Sequence, residues 1–210
     1  MTNEAQLPMM KNMLNSALKS GWDMNLFHCY ILDSQKEAAN YGTPRFRSLT
    51  IRKLEVILDN LRQDSEILWI DNDIVLFQNV LNDLRSKPGM FVMQDDIWSP
   101  CTGFFLARNT ETSKRKLQLA IQWLSVHQGV NDQHAFQAVY RKIPMATVTL
   151  LDREEYPNGE IYFSQKKTEK AKMVHCNYLP TTAEKVQRFK EYGLWDESDE
   201  AFEKVHKHII

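Results

Sequence analysis

The sequence has few cysteines, and their positions argue against a cysteine zinc motif and against a disulfide framework. Its 210 residues include three cysteines, Cys29, Cys101 and Cys176, an odd number spread widely along the chain. No pair has the spacing of a zinc motif, and no disulfide framework is indicated. All three lie in apolar stretches, so we expect buried, reduced thiols and a reducing compartment.

Long apolar runs and an excess of one charge are also missing. No stretch reaches the length needed to cross a bilayer, and the N-terminus lacks the charged and apolar segments of a signal peptide. The sequence therefore predicts a soluble, cytoplasmic protein without a membrane span. With a formal net charge of -1, it also lacks the basic surface that is typical of nucleic-acid binding.

The periodicity of apolar residues indicates an α/β protein. Helical spacing marks segments 7–20, 45–63 and 112–126, and a further helix is predicted after Asn131. Short apolar runs predict strands at 26–32, 67–70, 74–77, 90–94, 104–107, 147–151 and 173–176. This alternation favours a mainly parallel central sheet flanked by helices. We expect one continuous domain over 1–210, ending in a charged C-terminal helical extension over 182–207.

The most informative segment is an acidic pair that interrupts an apolar stretch. Asp71 and Asp73 lie between the predicted strands 67–70 and 74–77. Two close carboxylates in apolar surroundings repel each other and are costly to bury, so they need a compensating partner. A divalent cation provides one, and ligands of open α/β sheets bind beyond the carboxyl ends of strands. A turn in which both acids cap backbone N–H groups is the alternative interpretation.

The segment around these acids resembles the DxD motif of GT-A-fold glycosyltransferases, in particular the nucleotide-diphospho-sugar transferase family. Further motifs of that family follow in the expected order: Cys101-Thr102-Gly103-Phe104, Asn131-Asp132-Gln133, Tyr156-Pro157-Asn158-Gly159 and Val174-His175-Cys176-Asn177. The resemblance covers most of the chain. Compact members occur in bacteria and large algal viruses, and this chain is more similar to those than to membrane-anchored Golgi enzymes.

The resemblance implies a GT-A (Rossmann-like) fold and transfer of a sugar from a nucleotide-diphosphate donor, most commonly UDP, to a glycan, glycoprotein or other hydroxyl acceptor. It also implies that Asp71, Asp73 and His175 hold Mn²⁺ or Mg²⁺. The imidazole nitrogen of His175 favours Mn²⁺. The donor-binding residues that it implies are Asn3, Lys53, Asp71, Asn72, Thr102, Gly103, Asn177 and Lys185.

Two of these assignments carry a structural expectation. Asn177 should face the same side of its strand as His175, because side chains alternate along a strand. Family members have a strand before the segment that matches Thr2, Asn3 and Glu4. Here the chain starts at Met1, so we expect that strand to be missing, shortened or displaced.

An inverting transfer needs a carboxylate that accepts the proton of the acceptor hydroxyl. The favoured active-site carboxylates are Asp132, which begins a predicted helix, and Asp95, which follows a predicted strand; Asp96 is a further candidate. Helix capping is the alternative role of Asp132, and a surface turn is that of Asp95 and Asp96. In a retaining transfer these side chains would bind sugar hydroxyls instead. Trp98 is the preferred aromatic contact for the acceptor.

Two other functions are compatible with the sequence. A metal-dependent phosphate-ester enzyme, such as a nucleotidyltransferase or a phosphatase, also places paired aspartates at a strand end. Nucleotidyltransferases usually carry a glycine-rich phosphate loop near the N-terminus, and this sequence has none. The second is a non-catalytic module that binds nucleotide-sugars or carbohydrates. The intact set of Asp71, Asp73 and His175 favours an enzyme.

Overall fold

A computed structural model of the chain describes residues 1–32, 42–97, 99–140 and 148–210. Contacts separate the chain into two compact units. The first unit comprises Met1–Asn40, Asp71–Val80 and Glu154–Ile210, and the second comprises Tyr41–Ile70 and Leu81–Arg153. Both contain helices and strands, so the predicted α/β class is confirmed. Trp98, the preferred acceptor contact, lies outside the described residues.

Apart from the C-terminal helix, the predicted elements are found with small shifts of their ends. The strands are β1 (Thr2–Asn3), β2 (His28–Leu32), β3 (Glu66–Ile70), β4 (Ile74–Leu76), β5 (Phe91–Asp95), β6 (Pro100–Arg108), β7 (Val148–Leu150), β8 (Met173–His175) and β9 (His206–Ile209). The helices are α1 (Leu7–Lys19), α2 (Pro44–Leu61), α3 (Leu81–Ser86), α4 (Glu111–Val126), α5 (Asp132–Tyr140) and α6 (Thr182–Glu191). Among the described helices, none is long and apolar enough to cross a membrane.

Local side-chain chemistry explains where several helices begin. The hydroxyl of Thr43 accepts a hydrogen bond from the Phe46 N–H at 3.2 Å, and Pro44 stands in the first turn of α2. Capping boxes start α4 and α6, with Thr110 and Thr181 as the capping residues. These signals are local, which is why the sequence predicted the helices well.

A four-stranded sheet forms the centre of the second unit. Its strand order is β3-β6-β5-β7, and β6 runs antiparallel to both of its neighbours, while β5 and β7 are parallel. Helix α2 packs against β3, α5 packs against β6, and α4 contacts both helices. Because β3, β5 and β7 run in the same direction, all three strands end at the same edge of the sheet. The β5–β6 pair is antiparallel because a short hairpin joins the two strands.

The first unit contains two smaller sheets. Strands β1, β2 and β9 form a parallel sheet, and β4 pairs with β8 in antiparallel register. Helix α1 packs against β4. An apolar cluster lies beside β8 and includes Val75, Phe163, Val174, Cys176 and Phe189. All three cysteines are free and buried, as the sequence predicted.

One expectation about the ends of the chain is confirmed, and another is wrong. The N-terminal strand is shortened, as expected: β1 has only two residues, which pair with Ile31 and Leu32. The predicted helix over 182–207 is wrong beyond Glu191: α6 stops there, and His206–Ile209 forms β9, which pairs with β2. The charged tail has a helical pattern only in its first part, and the strand depends on a partner far away in the sequence.

Candidate functional site

The acidic pair follows the end of β3 directly. Strand β3 ends at Ile70, and Asp71 and Asp73 stand before β4. Because β4 pairs with β8, Ile74 lies opposite His175, and the Cys176 N–H donates to the Asp73 carbonyl at 2.8 Å. This ladder brings a histidine from late in the chain to the acidic pair.

Asp71, Asp73 and His175 converge as metal ligands would. One ligand atom from each residue can be chosen so that all three lie within 4.8 Å of one another. Within the described ranges, no other group of three or more His, Cys, Asp or Glu side chains is similarly placed. Two carboxylate oxygens and one imidazole nitrogen suit Mn²⁺ or Mg²⁺. The residues present therefore fit the cation that the sequence predicted.

Asp73 lies at the centre of this group. Its two oxygens lie 3.2 Å from His175 Nε2 and 2.7 Å from Lys185 Nζ, and its side chain is only 10% exposed. Burial by itself would raise the pKa of Asp73, but the charges and hydrogen bonds of Lys185 and His175 hold that pKa well below its usual value. Asp73 is therefore an ionised carboxylate and can serve as a cation ligand.

Lys185 reaches this site from the first turns of α6. Burial lowers the pKa of Lys185, and the nearby Asp73 carboxylate more than compensates, so that the pKa is raised. The capping box of Thr181 and Glu184 fixes the start of the helix from which Lys185 projects. The structure thus brings a permanent positive charge beside the predicted metal ligands.

The asparagines assigned to donor binding have different surroundings. The Asn72 amide donates to the Met1 carbonyl at 2.9 Å, and the Asn3 side chain accepts from the Gln6 N–H at 3.0 Å. Asn177 lies in a turn, because β8 already ends at His175. The expectation that Asn177 shares a strand face with His175 is therefore wrong, since alternation holds only within the strand.

Gly159 allows close packing beside the histidine strand. A Cβ atom at this position would overlap the ring of Tyr178 and lie 3.4 Å from Cys176 Cα. The preceding Asn158 forms a parallel bridge with His175, and its side chain accepts from the Ile161 N–H at 3.0 Å. The Tyr156–Gly159 motif therefore has a packing role that its residue types alone did not reveal.

The second unit holds the remaining predicted residues. Thr102 and Gly103 are buried in β6, next to Phe104, which lies opposite Ile70. They therefore lie at the sheet edge where β3 ends, in agreement with a position near a ligand.

The side chains of Lys53 and Asp132 form a buried ion pair. Lys53 Nζ lies 2.9 Å from Asp132 Oδ2, and the two side chains are 7% and 5% exposed. Lys53 Nζ also lies 5.4 Å from the centre of the Trp69 ring. The ion pair joins α2 to the N-terminus of α5. A structural role for Asp132 is therefore visible, in addition to the helix cap that the sequence suggested.

Asp95 has a cationic partner of its own. Arg153 Nε lies 2.8 Å from Asp95 Oδ2, and Arg153 Nη2 donates to Asp95 Oδ1 at 3.1 Å. Gln133 Nε2 donates to Asp96 Oδ2 at 3.1 Å and to Ser99 Oγ at 2.9 Å. Sequence reasoning missed Arg153, because it belongs to no motif and lies 58 residues from Asp95.

The sequence profile described as nucleotide-diphospho-sugar transferase matches residues 9–189. The chain belongs to this family. The resemblance seen in the motifs is therefore confirmed. The acidic pair, the late histidine and Lys185 lie together in the first unit.

Curated relatives in sequence are glycosyltransferases. The UDP-galactose:fucoside alpha-3-galactosyltransferase of Dictyostelium discoideum is 27% identical, and the match covers 90% of this chain and 34% of that protein. A UDP-D-xylose:L-fucose alpha-1,3-D-xylosyltransferase of Arabidopsis thaliana is 27% identical, with 82% of this chain and 55% of that protein covered. The chain thus spans between a third and somewhat more than half of these relatives.

Solved structures share the fold. A glycosyltransferase involved in glycosylation of the major capsid of PBCV-1 has a TM-score of 0.63 at 13% identity, covering 90% of this chain and 97% of that one. The glycosyltransferase GlyE of Streptococcus pneumoniae has a TM-score of 0.61 at 12% identity, covering 96% of this chain and 62% of that one. The fold is that of glycosyltransferases, as the sequence predicted.

Proposed function

We propose that this chain is a metal-dependent glycosyltransferase domain that moves a sugar from a UDP-sugar to a hydroxyl group of a glycan or glycoprotein. The convergence of Asp71, Asp73 and His175 beyond the end of β3 carries the proposal, because a divalent cation held there would offset the negative charge of a donor diphosphate. We propose that residues 1–210 act as a single GT-A-type domain. The cytoplasmic location stays a prediction.

The metal ligands and Lys185 serve the leaving group. Asp71, Asp73 and His175 would hold Mn²⁺, or alternatively Mg²⁺, which would supply a Lewis acid for the charge that develops on the departing UDP. Lys185 Nζ, 2.7 Å from Asp73, supplies a positive charge at the same place. The ionised Asp73 holds the Lys185 ammonium group in position. The remaining donor contacts that we propose are Asn3, Lys53, Asn72, Thr102, Gly103 and Asn177.

We propose that the acceptor carries L-fucose and that the product is α-linked. Two relatives are named for transfer to a fucoside or to L-fucose with alpha-3 or alpha-1,3 linkage. The sugar in UDP-galactose or UDP-xylose is α-linked to the diphosphate, so an α-linked product means retention of configuration. Retention needs no separate general base. This agrees with the ion pairs that occupy Asp132 and Asp95.

Calorimetry with UDP, UDP-galactose and UDP-xylose, with and without Mn²⁺, tests the metal site. We expect binding to require Mn²⁺, and a saturating ligand at 100 times its dissociation constant should stabilise the fold by about 2.7 kcal/mol. Asp73→Asn removes the central ligand with little change of volume, so it should abolish the Mn²⁺-dependent part of binding.

Asp59→Asn is the matched control, because Asp59 is an exposed helix residue paired with Arg62. It should bind UDP and Mn²⁺ as the unmodified chain does. If Asp73→Asn also retained Mn²⁺-dependent binding while folded, the proposed site would be wrong. Binding of UDP-sugars without transfer to any fucoside would instead indicate a binding module.

A further inference from the structure

A short hairpin stands at the sheet edge where β3 ends. It joins β5 to β6, and Asp95 at its start lies opposite Pro100 at its end. Since β3, β5 and β7 end at this edge, the hairpin emerges beyond the carboxyl ends of these strands. Ligands of open α/β sheets bind beyond this edge. Arg153, which follows β7, comes from the same edge.

Two side chains outside the hairpin hold it in place. The Arg153 guanidinium contacts both oxygens of Asp95, and its Nη2 also donates to the Ile97 carbonyl at 3.2 Å. From the other side, Gln133 donates to the Asp96 carboxylate and to the Ser99 hydroxyl. Within the hairpin, the Ile97 N–H donates to Asp95 Oδ1 at 3.0 Å.

The restraint holds Ile97 in an unfavourable backbone conformation. Its φ angle is 65°, which is rare for any residue other than glycine and is a marked outlier for a β-branched one. Such strain persists only where the surroundings impose it, and it concentrates at functional sites. Arg153 binds the carbonyl of Ile97 and the carboxylate that binds the Ile97 N–H. Arg153 is thus the group best placed to impose the strain.

We propose that Arg153 is a positioning residue for acceptor binding: it holds the β5–β6 hairpin so that Asp96 and Ser99 are presented to the hydroxyl groups of the acceptor sugar. This inference rests on the proposed function. Asp95 and Asp96 would repel a diphosphate, whereas a neutral sugar offers hydroxyl donors. A carboxylate has about four acceptor sites, so Asp96 can bind Gln133 and a sugar hydroxyl together. Asp95 is the anchor of Arg153 rather than a base.

Hydrogen exchange of the Ile97 amide tests the positioning step without any need for turnover. Arg153→Ala removes the guanidinium, and Arg153→Lys keeps the charge but not the planar pair of N–H donors. We expect faster exchange of the Ile97 amide in both variants, and partial recovery when guanidinium is added to Arg153→Ala. Arg62→Ala, which removes an exposed arginine with a surface partner, is the control and should leave this amide unchanged.

Transfer kinetics with L-fucose as the acceptor probe test the functional step. In Arg153→Ala, we expect kcat/KM for transfer to fall about tenfold or more through a higher KM for L-fucose. The reason is that a displaced β5–β6 hairpin orients the acceptor sugar less well. Binding of UDP with Mn²⁺ and slow hydrolysis of the UDP-sugar should stay unchanged, since the donor site is intact.

Each other outcome counts against the inference. Unchanged exchange of the Ile97 amide would show that Arg153 does not hold the hairpin. Faster exchange with an equal loss of hydrolysis and transfer would show a general structural role, and no transfer to L-fucose by the unmodified chain would exclude this acceptor. Failure of Mn²⁺-dependent UDP binding in the unmodified chain would overturn the proposed function itself, and the exchange experiment would still decide the role of Arg153 in the hairpin.

Discussion

At the scale of single residues, Asp132 combines a position in a family motif with a structural role. Asp132 stands in the predicted Asn131-Asp132-Gln133 motif, yet its carboxylate is buried against Lys53. Taking two charges out of water is costly, and each then depends on the other. A loss of activity in an Asp132 variant would therefore not by itself identify a catalytic group.

The stability of paired variants separates these two roles. Asp132→Asn should lower the free energy of unfolding by about 3–5 kcal/mol, because the buried Lys53 loses the carboxylate charge that lies 2.9 Å from it. Lys53→Met combined with Asp132→Asn should recover most of this loss. Urea unfolding measures both, and Asp59→Asn, in an exposed pair, should cost no more than about 1 kcal/mol.

Transfer activity then completes this test. If the double variant is stable and transfers sugar, Asp132 acts through the fold, and Lys53 is not needed as a donor contact. If Asp132→Asn keeps its stability and loses transfer alone, Asp132 has a direct chemical role, and its pairing with Lys53 does not explain why the residue is needed.

At the scale of elements, α1 holds the segment that follows α6. The Asn15 amide donates to the carbonyls of Asp196 and Ser198, each at 2.9 Å, and the Asp196 N–H donates to Asn12. Lys19 Nζ lies 2.5 Å from the Asp196 carboxylate. Two buried asparagines and one ion pair thus fix the chain between α6 and β9.

These contacts predict that the stability of the fold decreases as the pH falls in the acidic range. The hydrogen bond from Lys19, followed by that from the Ser198 N–H, lowers the pKa of Asp196 to about 2. A lowered pKa in the folded state adds stability above the usual pKa of aspartate, and this contribution disappears as the pH falls through the folded value. The window therefore runs from the ordinary aspartate pKa of 3.8 down to about 2.

Urea unfolding of the unmodified chain and of Asp196→Asn across this window is the measurement. Near neutral pH, the unmodified chain should have a higher free energy of unfolding than Asp196→Asn. This difference between the two proteins should shrink steadily as the pH falls to about 2. Glu197→Gln removes the same charge from the exposed neighbouring residue and controls for net charge. A difference that stayed constant over the window would contradict the role of the Asp196 contacts.

At the scale of the whole molecule, net charge predicts solubility. The formal charge is -1 and the isoelectric point is about 6.6. Repulsion between copies is weakest there, so light scattering in low salt should show most association near this pH and less at higher pH. Replacing the exposed Arg115 and Lys166 by glutamate should move this maximum to lower pH, and Arg115→Lys with Lys166→Arg should not. An unchanged maximum in the glutamate variant would indicate a specific contact instead.

Local patterns account for the parts of the fold that were predicted. Apolar periodicity and capping residues act within one helix or strand, so the ends of α1, α2 and α4 lie close to the predicted ones. Strand β9 was missed, because its partner β2 lies far away in the sequence. A strand is stable only against a partner, and a single segment does not contain that information.

The order of residues by itself determined the family, the acidic pair after an apolar strand and the late histidine. The acidic pair and the histidine motif are each local in sequence, and their order along the chain produced the resemblance to the family. Tertiary structure alone decided the partner of each charge: Asp73 with Lys185, Lys53 with Asp132, and Arg153 with Asp95. The physical reason is that an ion pair depends on distance in space, and only the folded chain brings side chains so far apart in sequence within hydrogen-bonding range.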